Sequence, residues 1–370
     1  MVDFVFWLFS YILPFLLVLT IIVFVHEMGH YLVARWNGIA IQTFSVGFGR
    51  ELLGFTDRHG TRWRLSIIPL GGYVRFVGDM NAASVPDSAA NQKFPPEMRP
   101  RLFMNKGVWQ RIAVVAAGPA ANVIFTFMVL YILLIGFGKY TLPATIDAVV
   151  EGGPAAVSGL EPGDLVLSVD GYNVRGFSDF QRFVSTSPGR SVVVIVDRLG
   201  REMEFVLTPE PAEVTDRFGN ILKMGRIGVS RLSNAGEVVF YRPGPLEAVG
   251  MTVEEIGFII QRTGAFLGDF FVGRGDLDQL GGPVKVAKIS GEVATLGIFA
   301  LINLTALLSL NIGIFNLLPI PMLDGGHLVF YLYEAVMKKP LSARVQEIGF
   351  RFGLVLVLSL MAFTFVNDIV

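Results

Sequence analysis

The stretch IVFVHEMGHYLV, residues 22–33, puts two histidines and a glutamate at the end of an apolar run, and the rest of the chain can be read outward from it. Residues 4–25 hold no Asp, Glu, Lys or Arg, and these 22 residues at 1.5 Å each reach across a hydrocarbon core of about 30 Å. No basic region precedes them and no small-residue cleavage site follows, so the segment reads as a membrane span and not as a removable leader. Three more uncharged stretches follow: 27 residues between Arg111 and Lys139, 31 between Glu292 and Asp324, and 16 from Phe352 to Asn367, which residues 348–350 lengthen around Arg351. Composition agrees: of 370 residues 52% are hydrophobic and only 16% charged, where a soluble protein carries about 25%. A net charge of -1 shows no basic excess of the kind that marks nucleic-acid partners. The absence of cysteine excludes disulfides, thiolate metal sites and a cysteine nucleophile, so any metal must sit on His, Asp or Glu.

Basic residues near span ends stay on the cytoplasmic side. Residues 35–111 hold 11 Lys/Arg against 5 Asp/Glu, and residues 319–351 hold four against three, so both face the cytoplasm. Residues 138–295, with 15 basic and 20 acidic residues, lie outside, and a bacterial periplasm fits. Between the spans, Ile41 to Asp79 shortens to strand-like runs around the turn signal DRHG, with GFG (47–49) as a re-entrant turn and Gly71-Gly72 breaking the pattern. Residues 81–101 read as a loop. GLEPGD (159–164), a strand, Asp170-Gly171, a helix near Phe177 to Ser185 and the hairpin of residues 191–209 together resemble a bacterial PDZ domain. Pro245 to Phe271 reads as an amphipathic helix lying on the outer surface.

The expected fold class is therefore an α-helical polytopic membrane protein with four transmembrane helices, a membrane-associated β-sheet and a PDZ-like extracytoplasmic domain. By residue, 1–35 is the first span with HExxH, 36–110 the sheet and loop, and 111–138 the second span. The PDZ-like domain covers 140–212, and 213–292 holds a β segment and the amphipathic helix. The third span with the LDG motif is 293–327, a cytoplasmic loop 328–347 and the fourth span 348–370.

His26-Glu27-Met28-Gly29-His30 is an HExxH pattern. On a helix, positions i and i+4 share a face, so both imidazoles reach one zinc ion, while Glu27 lies about 100° round the axis, placed to act as a general base towards water. Ionisable residues in a span are costly and are functional candidates by default. Catalytic zinc takes three protein ligands. Asp324 is the expected third: it follows the helix-breaking Pro319 and Pro321, and its span runs in the same direction as the first, so both C-terminal ends meet at one depth. His327 is the rival ligand.

HEMGH, PLGGYVRFVGD, GPAAN (118–122), GGPV and NLLPIPMLDGGH, in this order around a PDZ-like insert, closely resemble the site-2 protease family of intramembrane zinc metalloproteases, in particular its bacterial regulator of sigma-E branch. The resemblance covers nearly the whole chain. It implies Zn2+ on His26, His30 and Asp324, Glu27 as catalytic base, and Asn316, Asn122, Gly71, Gly72 and Tyr73 as substrate-positioning residues. It implies regulated intramembrane proteolysis of a single-span membrane protein, an anti-sigma factor already trimmed by another protease, in the bacterial inner membrane. The remaining partners are the lipid bilayer and a peptide or protein segment at the PDZ groove. One departure is visible: two tandem PDZ domains mark the best-known branch, and this chain has room for one clear copy. Two other classes, a non-proteolytic PDZ scaffold and a metal-ion transporter, predict respectively a broken metal set and polar residues spread along several spans; here the set is complete and clustered at one depth.

Overall fold

A computed structural model describes residues 8–78, 93–215, 221–231, 238–272 and 281–368. Residues 81–92 of the expected loop lie outside the described residues. The chain divides into two compact units, one made of residues 1–130 and 263–370, the other of 131–262.

In the first unit, a short π-helical turn at Leu8–Ile12 leads into α1 (Leu13–Trp36), whose 24 residues extend about 36 Å. Two long strands follow, β1 (Ile41–Thr56) and β2 (Arg62–Phe76), and then α2 (Val108–Phe137). Residues of β1 pair on both sides. Phe44 lies opposite Val74 on one side and Trp63 on the other, so segments 72–76, 41–46 and 62–66 lie side by side, with 53–56 outermost. GFG is a bend inside β1 and not a turn that ends it. Gly47 has φ 90° and a side chain there would meet the Ser66 and Ile68 carbonyls at 2.9 Å, so the kink needs glycine at that point. The turn proper is DRHG. The Asp57 carboxylate accepts from the backbone N–H groups of His59 and Thr61, from Trp63 Nε1 and from the Tyr31 hydroxyl, tying the hairpin to the last turns of α1. Desolvation works to raise the pKa of this carboxyl, but the four donors outweigh it and hold it at about 2. Beneath lies a core of Tyr31, Ala34, Ile39, Phe44, Val74, Phe76, Phe103, Val114 and Tyr331, which fixes the sheet to α1 and α2.

The second unit is β-rich. A four-stranded antiparallel sheet contains β3 (Leu165–Val169), β4 (Tyr172–Asn173), β5 (Val192–Arg198) and β6 (Arg201–Leu207), in the order β4-β3-β5-β6. Two helices, α3 (Pro154–Ser158) and α4 (Phe177–Ser185), accompany it around a core of Ile146, Val166, Phe180, Val194 and Val196. GLEPGD acts structurally: buried Asp164 receives Arg198 through Nε at 2.6 Å and Nη2 at 2.7 Å, and Arg198 Nη2 also donates to the Gly159 carbonyl. Burial works to raise the pKa of this carboxyl and the Arg198 bonds more than reverse it. The helix α5 spans Pro245–Phe271, the bounds expected for the amphipathic segment. On one face Phe258 belongs to the core of this unit and stacks edge-on with Phe183 and Tyr172, while Arg175 pairs with Glu254; Leu246 and Val253 are exposed.

The chain then returns to the first unit through α6 (Pro283–Thr295), α7 (Ile298–Asn316), α8 (Asp324–Met337) and α9 (Ala343–Asn367). The GGPV motif begins α6, where the Asp368 carboxylate accepts from the backbone N–H groups of Gly282, Val284 and Lys285, capping the helix. The expected third span and the loop after it are divided differently here. Gly297 at φ 108° separates α7 from α6, and α8 begins at Asp324, within the expected span, and runs on through residues 328–337 of the expected loop. Among the described residues, four helices are long and apolar enough to cross a membrane: Phe9–Trp36, Val108–Phe137, Ile298–Asn316 and Arg344–Asn367. Their outward residues are apolar, Leu13, Ile132, Phe299 and Val355 among them, a surface that suits lipid and not water. The chain is a polytopic membrane protein with several β-sheets.

Candidate active site

Three elements meet at the site. The helix α1 presents His26 and His30 one turn apart, α2 packs beside them, and the first residue of α8 is Asp324. Close approach of α1 and α2 depends on small residues. A Cβ on Gly29 would lie 2.7 Å from Ala121 Cβ and closer still to the Ala117 carbonyl oxygen. A Cβ on Gly118 would lie 2.9 Å from His26 Cε1 and closer still to Nε2 and Cε1 of His30. GPAAN therefore provides the space that the two imidazoles occupy.

Asp324 is placed by its loop. Pro319 and Pro321 cannot continue α7, and Met322 turns the chain at φ 94°, a conformation that costs a side-chain-bearing residue of the order of 1–3 kcal/mol. Cβ atoms on Gly325 and Gly326 would collide with the carbonyls of Leu317, Leu318 and Ile320, so the two glycines let this loop fold over the first turn of α8. A carboxylate at a helix N-terminus is also favoured by the peptide dipoles. From α2, Arg111 bonds to Glu334 at 2.6 Å and lies 4.8 Å over the Tyr331 ring, bracing α8 from a distance of 223 residues in sequence.

The three side chains converge. His26 Nε2 is 3.1 Å from Asp324 Oδ2, His30 Nε2 is 3.5 Å from the same oxygen, and the two Nε2 atoms are 3.3 Å apart. Bonds of 2.0–2.2 Å at tetrahedral angles separate ligand atoms by roughly 3.3–3.5 Å, so this triangle fits one zinc ion. Asp324 Oδ2 is buried and makes no hydrogen bond. An unsatisfied buried acceptor costs about 1–3 kcal/mol, more when charged, unless a cation takes the place of the missing donor. Among the described residues, His26, His30 and Asp324 are the one group of three with metal-holding spacing. His30 Nδ1 lies 2.8 Å from the Val114 carbonyl, an acceptor that places the ring proton on Nδ1 and leaves Nε2 its lone pair.

The triad opens on a cavity of about 550 Å³. Glu27, Gly71, Gly72, Tyr73, Asn316 and His327 line it together with the triad. Glu27 is buried, and a Cβ on Gly72 would come within 3.1 Å of its Cγ, so glycine leaves the carboxylate its room. His327 stands outside the triad, with its ring 5.2 Å from that of Phe350. Asn122 does not line the cavity with the other residues expected to position substrate: it is fully buried behind His26, Nδ2 3.2 Å from His26 Nδ1. Sequence reasoning missed Val114, Gly118, Met322 and the Arg111–Glu334 pair. A backbone acceptor has no sequence signal, and neither does an ion pair joining distant helices, whereas Gly118 was present in the GPAAN run.

Comparison with known proteins agrees with this geometry. The sequence profile of peptidase family M50 matches residues 14–360. A protein of Mesorhizobium japonicum provisionally named as a zinc metalloprotease is 49% identical, across 97% of this chain and 98% of its own. One from Agrobacterium fabrum, named in the same way, is 47% identical across 97% and 96%. Metalloprotease MmpA of Caulobacter vibrioides is 39% identical across 96% and 94%.

Proposed function

Since the chain belongs to peptidase family M50 and is a zinc metalloprotease, we propose that it cleaves peptide bonds inside the membrane, within the transmembrane segment of a single-span protein. The observation that carries this reading is the convergence of His26, His30 and Asp324 on one point beside buried Glu27, on and between helices that are long and apolar enough to span a bilayer. A bound zinc ion supplies Lewis acidity, making water a better nucleophile and polarising the scissile carbonyl. Glu27 takes the proton from the attacking water and passes it to the leaving amine. Asn316 offers its amide to the substrate backbone from the cavity wall. A helical substrate has its carbonyls bonded within the helix and must unwind before attack. The Gly71–Tyr73 segment borders the cavity, and there an extended stretch is held by strand addition, whose main-chain bonds demand little of sequence. Resemblance supplies the rest of the reading: a pre-trimmed anti-sigma factor as substrate, in regulated proteolysis and envelope stress signalling.

The test is direct. Purified protein should hold one zinc per chain, cleave a reporter bearing a single transmembrane segment, lose that activity to a chelator and regain it with zinc. Zinc bound at this site without cleavage of any membrane reporter would leave a scaffold or an ion carrier instead.

For localisation we propose the bacterial inner membrane, with residues 35–111 cytoplasmic and the PDZ-like unit in the periplasm, binding a peptide or protein segment in its groove. The charge asymmetry of the connecting segments supports this. Single cysteines at Gly200 and Pro95, introduced into a chain that has none, should label with an impermeant thiol reagent on intact spheroplasts at residue 200 only. Labelling at residue 95 alone reverses the topology.

A further inference from the structure

We infer that Asn122 is a positioning residue that fixes the ring of His26 by accepting the proton on its Nδ1, a role that rests on the zinc-site reading above. The two histidines of the triad stand in equivalent positions, each with Nε2 facing Asp324 Oδ2. For an imidazole to offer Nε2 to a metal, its proton must sit on Nδ1, and Nδ1 must then face an acceptor. His30 meets this requirement through the Val114 carbonyl. The partner on His26 Nδ1 is the side-chain amide of Asn122, at 3.2 Å.

That amide is fully buried, and its oxygen has no hydrogen-bond partner. With the nitrogen towards the ring, two donors would meet at one contact while the acceptor stays orphaned. A half-turn of the amide exchanges oxygen and nitrogen at constant shape, gives the oxygen the Nδ1 proton, and removes both faults. Packing holds the side chain at this spot. A Cβ on Gly313 of α7 would lie 3.1 Å from Asn122 Cβ and 3.2 Å from the Pro119 carbonyl, so the glycine lets α7 close over the asparagine. The GPAAN run thus serves the histidines twice: Gly118 leaves space for the rings, and Asn122 orients one of them.

A packing role and an orienting role predict opposite orders of tolerance. In the full-length protein, Asn122→Leu keeps size but removes the acceptor, whereas Asn122→Asp keeps the acceptor and adds charge. If Asn122 orients His26, Asn122→Leu weakens zinc by roughly 10–100-fold in competition with a chromogenic chelator, and Asn122→Asp stays within about threefold of wild type. The cobalt-substituted protein gives a second readout: the visible d–d bands of a tetrahedral site should change in the leucine variant and persist in the aspartate variant. Asn122→Ala, which introduces no extra bulk, must weaken zinc as well and carries the test should the leucine variant fail to fold. Wild-type zinc affinity and an unchanged cobalt spectrum in Asn122→Ala or Asn122→Leu overturn the inference while leaving the zinc site standing. A folded wild type that binds zinc at no defined site overturns both.

Discussion

Glu27→Gln should keep its zinc and lose its turnover. The three ligand atoms that lie within 4.8 Å of one another come from His26, His30 and Asp324, so replacing the Glu27 carboxylate by an amide of the same shape leaves the triangle intact. The amide cannot accept and return a proton at neutral pH, and positioned acid–base catalysis is worth roughly 10²–10⁴-fold. Cleavage of a transmembrane reporter should therefore fall by about that factor while the metal content stays at the wild-type value. Stability gives a third readout. Glu27 is buried, and taking a carboxylate out of water is costly, so the glutamine variant should melt no lower than wild type in detergent. Metal loss in Glu27→Gln equal to that in His26→Ala would show that Glu27 ligates.

The parts of this site that were legible in the sequence are those governed by local periodicity. HEMGH lies on α1 because i and i+4 share a helix face, and the break after Asn316 follows from two prolines that cannot continue a helix. The helix Phe177–Ser185 and the hairpin turning at Leu199-Gly200 coincide with their expected positions for the same reason. What escaped is what tertiary packing decides. The helix α8 has only 14 residues, begins Asp-Gly-Gly and carries Glu334, so a search for long uncharged runs passes over it. Its charge is stabilised by Arg111, which no window of neighbouring residues contains. The amphipathic pattern of α5 is real, but periodicity says only that one face is apolar and not whether lipid or protein covers it; here Phe258 reaches the core of the second unit. Asn122 shows the same limit: a polar residue in an apolar helix is a candidate by cost alone, and only its distance to His26 Nδ1 separates orienting a ligand from touching a substrate.

The third ligand position decides whether the site closes as proposed, and two substitutions separate Asp324 from His327. Asn at 324 preserves size but removes the negative charge, and it replaces the oxygen that sits 3.1 Å and 3.5 Å from the two Nε2 atoms with a weaker, neutral donor. Zinc affinity should fall further than the ~10–100-fold that loss of an outer partner costs, and cleavage should become undetectable. His327 begins from a different position: it is three residues further along α8, its ring lies against Phe350 and Tyr331, and its nitrogens are not in the converging set. His327→Ala should accordingly retain near-full zinc, with activity lowered at most about tenfold through changed packing of the cavity wall, the magnitude of an outer-residue effect. Removing the carboxylate charge also leaves His26 and His30 with no anionic partner among the ligands, so millimolar zinc should not rescue Asp324→Asn, and it should not change the activity of His327→Ala, whose site is already filled. The reverse pattern, full zinc in Asp324→Asn and zinc loss in His327→Ala, would transfer the third position to His327 and require α8 to rotate by about 60° and slide by about 4.5 Å from the arrangement seen here.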